Sequence, residues 1–427
     1  MNKLQVHYTG WGEHWLLGTL ADNGSERLFE YSPEAMRQGL ELSPLRLKLR
    51  PQAYGQFPAH TLGLPGLVMD ALPDGWGLLL MDRLFRQRGV DVARVSPLQR
   101  LAFIGARALG ALSFEPAQPW LLDEAEHSLL ALAQHAQQVL AGQGNEVLSQ
   151  LAWLGGSPQG ARPKVLVHLD PLTGMVRTQS KGVAGRPSSD DLPAGFEPWL
   201  IKFAAQGEHS EACAIEALYA DLARLCGLDM PATRHFDLGA AGSSGRTRLA
   251  AFGIARFDRQ SGLRVPTHTL AGALHADHRL TGAVDYTTWL RVTRLFTRDE
   301  REVRKAFERA VFNVLFNNRD DHAKNLSFRL GADRCWRVAP AYDLTFSPGA
   351  GGEHAMDVCG HGHNITRAHL LQLAKDGGLE APWAGQVLDR MIAVAQGLRA
   401  QASQWPIRRI TVLHMQTTVQ RHAARLA

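Results

Sequence analysis

The chain has 427 residues, too long for one ordinary core and suited to two or three domains. Hydrophobic residues make up 45% and charged residues 20%, a soluble globular balance, and no apolar run approaches the length that crosses a bilayer. The formal charge of +5 is modest and contains no long Lys/Arg run, which argues against self-sufficient DNA binding.

The first hundred residues read as β-rich. Leu4, Val6 and Tyr8 alternate with polar residues, and WLLGTL and RLFEY are further short strands. Pro73, Asp74 and Gly75 then make a turn, followed by an apolar run of helical length, and GARALGALSF, Gly105 to Phe114, is a Gly-punctuated loop entering a strand. The start, MNKLQVHYTG, has neither an extended apolar segment nor a small-residue cleavage site, so no secretory signal is expected. Leu121 to Leu140 turns helical in composition and is expected to join two domains. Gly155, Gly156 and Gly160 bracket Ser157 in a loop ahead of a strand; such a loop can be a simple turn or can bring backbone N–H groups to phosphates, but no GK[ST] closes it as a Walker A motif. Gly174 to Gly195 reads as an exposed loop.

Pro198 to Ala204, PWLIKFA, is an apolar strand interrupted by Lys202. The following helix runs from about Glu211 to Leu225, with Ser210 as N-cap and Gly227 as stop, and carries Glu216 as a possible partner for Lys202. IARFDR, Ile254 to Arg259, is either a charged surface patch or a linker between lobes with Asp258 facing a ribose hydroxyl. A second helix is expected after Thr297, which forms a capping-box pattern with Glu300. Its stripe is Val303, Phe307, Val311, Val314 and Leu315. The four cysteines, Cys213, Cys226, Cys335 and Cys359, are scattered without a CxxC, so free thiols in a reducing cytosol fit better than a disulfide framework.

The second helix leads into NNRDDHAKN, Asn317 to Asn325. Phosphoryl transfer needs a carboxylate to accept a hydroxyl proton, and an amide oxygen and a second carboxylate to hold Mg²⁺. Asp320 stands five residues before Asn325, the spacing of a protein-kinase base and its metal-binding asparagine. Asp343, in VAPAYDLTF, is the second carboxylate, expected at the end of a strand. Asp321 either faces solvent or competes with Asp320 for the base role. His322 is read as a structural hydrogen-bonding group, and His361 and His363 as members of an exposed loop. A metal-dependent hydrolase built on Asp320, His322 and Asp343 is a further reading, with neither an HExxH nor a clustered three-ligand pattern behind it.

Together these motifs resemble the HipA family, the kinase toxins of bacterial type II toxin–antitoxin modules, over essentially the full length. PDGWG and RLAFIGARALGAL are similar to turns of the family's N-terminal subdomain; SPQGARPK to its Gly-rich loop; WLIKFA and IEALYADLARLCGLDMP to its ATP lysine and helix glutamate; ARFDR to its hinge; and DDHAKN and PAYDL to its catalytic and metal-binding motifs. The resemblance implies an α+β, two-lobed protein-kinase-like fold with an N-terminal β-rich subdomain and a mainly helical C-terminal lobe. The expected parts are a β-rich subdomain at 1–120, a helical linker at 121–150, a nucleotide-binding N-lobe-like part at 151–260 and a helical C-lobe with the catalytic loop at 261–427.

It further implies ATP and Mg²⁺ as cofactors, with Asp320 as base, Lys202 on the ATP phosphates, and Asn325 and Asp343 on the metal. Nucleotide contacts are implied at Ser157, Gln159, Gly160, Ala161, Lys164, Lys202 and Glu216. Others fall at Ala255, Arg256, Phe257 and Asp258 of the hinge and at His322 and Lys324, with autophosphorylation at Ser157. The implied activity is a cytoplasmic serine/threonine-protein kinase acting on a protein such as an aminoacyl-tRNA synthetase and arresting growth. A HipB-like helix-turn-helix antitoxin would carry the DNA contacts. A nucleotide-binding pseudokinase acting as an interaction module is the alternative. The sequence departs from the family at Ala255, where the hinge usually opens with Glu, and in RVPTHTLAGALHADHRL, which lacks the Gln-Glu-Asp pattern of the better-known members and fits a divergent or stand-alone branch.

Overall fold

The computed structural model describes residues 1–117, 126–144, 146–155, 160–177, 194–205, 207–241 and 247–427. The chain divides into two compact units, Met1–Cys213 with Thr233–His268, and Ala214–Ala232 with Thr269–Ala427.

The first unit is β-rich. Strands β1 (Lys3–Tyr8), β2 (Trp15–Asp22), β3 (Arg27–Tyr31), β4 (Ala53–Tyr54) and β5 (Leu112–Glu115) form an antiparallel sheet in the order β4-β3-β2-β1-β5. The period-2 reading of the N-terminus holds: Leu4, Val6 and Tyr8 are buried while Lys3 and Gln5 are exposed. The loop GARALGAL wraps a buried arginine. The Arg264 guanidinium donates to the carbonyls of Ala106, Ala108 and Gly110 at 3.0 Å and of Leu112 at 2.9 Å. One planar fork thus satisfies carbonyls of the loop up to its entry into β5.

A second sheet follows among the described residues: β6 (Glu126–His127), β7 (Lys164–Leu169), β8 (Val176–Arg177), β9 (Glu197–Phe203), β10 (Thr233–Ala241) and β11 (Thr247–Ala255), in the order β10-β11-β9-β7-β8-β6. The expected helix from Leu121 is shorter than its composition indicates. It spans Leu129–Leu140, capped by Ser128, because Glu126 and His127 pair with β8 instead. Residues 118–125 lie outside the description.

The second unit is mainly helical. Its helices include Tyr286–Thr297, Glu300–Leu315, Arg367–Asp376, Ala381–Gln396 and Arg409–Leu426, with a hairpin of Ser327–Leu330 and Trp336–Val338. The helix Glu300–Leu315 is central, and its forecast stripe of Val303, Phe307, Val311, Val314 and Leu315 is buried. Its cap differs from expectation. Thr297 ends the preceding helix, Arg298 turns left-handed at φ +53°, and the Asp299 carboxylate accepts from the Arg301 N–H at 2.9 Å. The Thr297–Glu300 spacing satisfies a capping pattern, but the first helix claims Thr297 before the second begins. One β-rich unit and one mainly helical unit give the α+β class. All four cysteines are free thiols, with Cys213 and Cys226 buried. Among the described residues, no helix is long and apolar enough to cross a membrane.

Candidate active site

In the first unit the antiparallel register of β7 and β9 sets Lys164 opposite Lys202, 4% and 6% exposed. The two side chains share one rung and therefore one face of the sheet. Lys202 Nζ lies 5.8 Å from the Phe252 ring centroid, within cation–π range.

The end of the Gly-rich loop closes onto the same rung. Gly160 has φ +107°, a conformation that favours glycine, and Lys164 Nζ lies close beside its Cα, where a Cβ would have to displace it. The turn before the helix Gly75–Gln87 grips this stretch. The Trp76 N–H donates to the Gly160 carbonyl at 3.0 Å, Trp76 Nε1 donates to the Lys164 carbonyl at 3.1 Å, and the Asp74 carboxylate accepts from the Gly160 N–H. Gly75, at φ +44°, lets the turn approach; a Cβ would meet the Gly160 carbonyl oxygen at 2.6 Å. Sequence reading placed PDGWG in the N-terminal part as a turn and missed this second role. Its one available signal was a Gly-Trp pair directly behind an aspartate. Ala161 is exposed beside Gly160, whereas Ser157 and Gln159 lie outside the described residues.

In the hinge segment, β11 ends at Ala255, and the Arg256 N–H donates to the Pro198 carbonyl at 2.9 Å. Ala255 and Phe257 are partly exposed. Asp258 corrects the ribose expectation: its carboxylate is turned inward. It accepts from Arg256 Nε and Nη2 at 2.9 Å, from Arg259 Nη1 at 2.8 Å and from the Gly110 N–H at 2.9 Å. Burial would push its pKa up, but the two guanidinium groups outweigh burial and hold it well below the usual carboxylate range. Asp258 ties the end of the second sheet to the Gly110 loop.

In the second unit, the helix Glu300–Leu315 delivers the loop Asn317–Asn325. The Asn325 side-chain amide donates to the Asp320 carbonyl at 2.8 Å, which commits its nitrogen and leaves its amide oxygen as a possible cation ligand. Asp320 is exposed, with 57% of its side chain accessible, and its Oδ1 stands 3.6 Å from His322 Nε2, beyond hydrogen-bond reach but close enough for charge interaction. Asp321 is the opposite case at 1% exposed. Its Oδ1 accepts from the Ala355 N–H at 2.8 Å, and its Oδ2 from the Tyr286 hydroxyl and His354 Nδ1, both at 2.7 Å. Of the two alternatives the sequence left open for Asp321, the solvent-facing one is corrected: its carboxylate is buried and bonded to three donors. Burial, then the neighbouring Asp321 charge, holds the Tyr286 phenol well above its ordinary pKa, as a neutral donor.

Asp343 lies beyond the strand Trp336–Val338, not at its end, and adopts φ +55°, a conformation that aspartate tolerates better than most residues. Its neighbour Tyr342 donates its hydroxyl to the Lys324 carbonyl at 2.8 Å and also bonds Ser327 Oγ, fastening the Asp343 segment to the loop Asn317–Asn325 and the strand after it. Lys324 and Asn325 are each 9% exposed. Glu216 is 3% exposed on the helix Glu211–Leu225. His361 and His363 are exposed, the first stacked on His369 at 3.9 Å and the second 3.0 Å from Glu353. Among the described residues there is no group of three or more His, Cys, Asp or Glu that could hold a metal ion. A hard-oxygen pair of one amide and one carboxylate fits Mg²⁺, which keeps several waters.

A family model described as the HipA N-terminal domain matches residues 8–115, and one described as the HipA-like C-terminal domain matches residues 156–398. Among solved structures, the HipA, HipB and operator DNA complex of the Shewanella oneidensis MR-1 toxin–antitoxin system superposes with a TM-score of 0.70 at 17% identity, covering 99% of this chain and 97% of that one. At that identity the likeness is one of fold. The Helicobacter pylori proinflammatory kinase CtkA matches with a TM-score of 0.39 at 14% identity, over 54% of this chain and 88% of that one. No curated protein sequence matches the chain.

Proposed function

The chain belongs to the HipA family, and from that premise we propose that it is an ATP-dependent serine/threonine-protein kinase. The observation that carries the reading is the division of labour in NNRDDHAKN. One aspartate is buried and fully bonded, its neighbour Asp320 is exposed, and Asn325 is fixed on the Asp320 carbonyl. The buried Lys164–Lys202 rung supports it as a phosphate-attracting feature.

In this reading Asp320 accepts the acceptor hydroxyl proton. Asn325 and Asp343 offer oxygens to Mg²⁺, Lys202 neutralises phosphates, and Glu216 is a further residue of the nucleotide site. Gly160, Ala161 and Lys164 line the phosphate loop; the Ala255–Phe257 backbone meets adenine; His322 and Lys324 border the nucleotide. Bound Mg-ATP supplies the phosphoryl group and spreads its charge. The residue ranges 1–120, 121–150, 151–260 and 261–427 serve as β-rich subdomain, linker, nucleotide part and catalytic lobe. Ser157 is the proposed autophosphorylation site; a phosphate there adds roughly −1.5 to −2 charges and repels those of ATP. The acceptor is a cytoplasmic protein, an aminoacyl-tRNA synthetase by family resemblance, and its modification arrests growth. A HipB-like antitoxin is the proposed partner, as in the Shewanella complex.

The test is incubation with Mg-ATP followed by intact-mass and phosphopeptide analysis, alongside phosphoproteomics of cells expressing wild type or Asp320→Ala. Wild type should gain phosphate, and Asp320→Ala should lose about 10²–10⁴-fold in rate. An unmodified wild-type chain and an unchanged phosphoproteome would instead favour a pseudokinase.

A further inference from the structure

The bonds around Asp321 form a closed path. Asn318 donates its side-chain amide to Asn313 Oδ1 at 2.9 Å, and Asn313 donates to the Tyr286 hydroxyl oxygen at 2.8 Å. Tyr286 in turn donates to Asp321 at 2.7 Å, and the backbone from Asp321 leads back to Asn318. The members come from three places: the helix Glu300–Leu315, the first residue of the helix Tyr286–Thr297, and the loop itself. Asn313, Asn318, Tyr286 and Asp321 are all buried. The two residues spanned by the path, Arg319 and Asp320, are not. The path therefore pins the loop on both sides of Asp320.

His354 holds Asp321 from the far side. It is 2% exposed; its Nδ1 bonds Asp321 Oδ2 at 2.7 Å, and its backbone N–H is anchored on the Gly362 carbonyl at 2.8 Å. The next amide, Ala355 N–H, takes Asp321 Oδ1. His354 also walls a cleft of about 410 Å³ with Glu353, Asp357, His361 and His363. A buried carboxylate is stable only when donors satisfy it, and donors to a carboxylate are among the strongest hydrogen bonds in a protein. Three donors from two segments, meeting one carboxylate next to the exposed aspartate, are more than a turn requires.

We propose that His354 and Tyr286 are positioning residues: through Asp321 they fix the backbone of Arg319–Asp320 and so the aim of the Asp320 carboxylate. The inference rests on the kinase reading for its catalytic consequence, though the ordering of the loop stands apart from it. Neither residue meets substrate in this account, and Asp321 carries no proton in the reaction.

The test compares His354→Ala, His354→Asn and Tyr286→Phe in the full chain. Asparagine places an amide nitrogen near the position of Nδ1 and restores the donor. Two readouts are taken: the autophosphorylation rate as a function of Mg-ATP, and hydrogen exchange of peptides covering residues 317–326. In His354→Ala the maximal rate should fall about 10- to 100-fold, by analogy with the loss when a residue that orients a metal ligand is removed. The half-saturating ATP concentration should not move, and His354→Asn should recover most of the rate. Exchange should rise in 317–326 of His354→Ala and Tyr286→Phe, fall back in His354→Asn, and stay unchanged in β9. The double variant of Tyr286→Phe and His354→Ala should lose less than the two single effects combined, since both act through one carboxylate.

An unchanged maximal rate in both single variants, or exchange in 317–326 equal to wild type, overturns the proposal. So does a His354→Asn protein as impaired as His354→Ala. Should His354→Ala fail to fold, Tyr286→Phe and His354→Asn carry the comparison. A wild type without any phosphorylation would sink the kinase reading, while the exchange data still decide whether His354 and Tyr286 order the loop.

Discussion

Three aspartates show how one residue type is given different work by its surroundings. Asp320 is exposed, Asp321 is buried under three donors, and Asp258 is buried between Arg256 and Arg259. Removing one partner of a buried ion pair leaves charges uncompensated and costs about 3–5 kcal/mol. Asp258→Ala should therefore lower the unfolding free energy by about that amount in denaturant titration. The folded pKa of Asp258 lies below the unfolded value, so its contribution is complete above about pH 5 and declines as pH falls further. Wild type should lose stability over that acid range more steeply than the variant. The sequence leaves Asp258 either on a charged surface patch or facing a ribose, whereas the carboxylate is buried; beside Arg256 and Arg259 it accepts from the Gly110 N–H, 148 residues away.

At the scale of elements, the strands and helices were mostly legible because their apolar periods are strong. The alternation in β1 and the stripe of Glu300–Leu315 are examples. Boundaries were less so, since Thr297 has two helices competing for it and Glu126–His127 is taken by a strand pairing. What no local pattern could reveal is the grip of the Asp74–Trp76 turn on Gly160 and Lys164. Gly75→Ala tests that grip. Its added methyl would overlap the Gly160 carbonyl, and its φ of +44° disfavours a side chain. The variant should bind ATP more weakly and melt earlier, by about 1 kcal/mol or more. Titration with a fluorescent ATP analogue and a thermal melt would check both; unchanged affinity would mean the turn does not shape the phosphate loop.

At the scale of the whole molecule, the kinase reading assigns the phosphate-binding lysines to the β-rich unit and the metal-binding residues to the helical one. A ligand that binds only the folded chain stabilises it by RT ln(1 + [L]/Kd), about 2.7 kcal/mol at roughly a hundredfold excess over Kd. Mg-ATP should therefore raise the melting temperature of wild type. ATP with a chelator should raise it less, and the Mg²⁺-dependent part should vanish in Asp343→Ala. A shift indifferent to both Mg²⁺ and Asp343 would remove Asp343 from the metal site.

The sequence by itself determined the α+β class, the family, and the order and spacing of the chemical groups. Those features are local: alternation, helical stripes, and an aspartate five residues before an asparagine. Only the tertiary structure separated Asp320 from Asp321. The two are adjacent and chemically identical, and what distinguishes them is the set of donors that reaches each one. Those of Asp321 come from Tyr286, His354 and Ala355, 33 to 35 residues away along the chain. Burial and hydrogen bonding are properties of where distant segments meet, and no window of sequence contains that meeting.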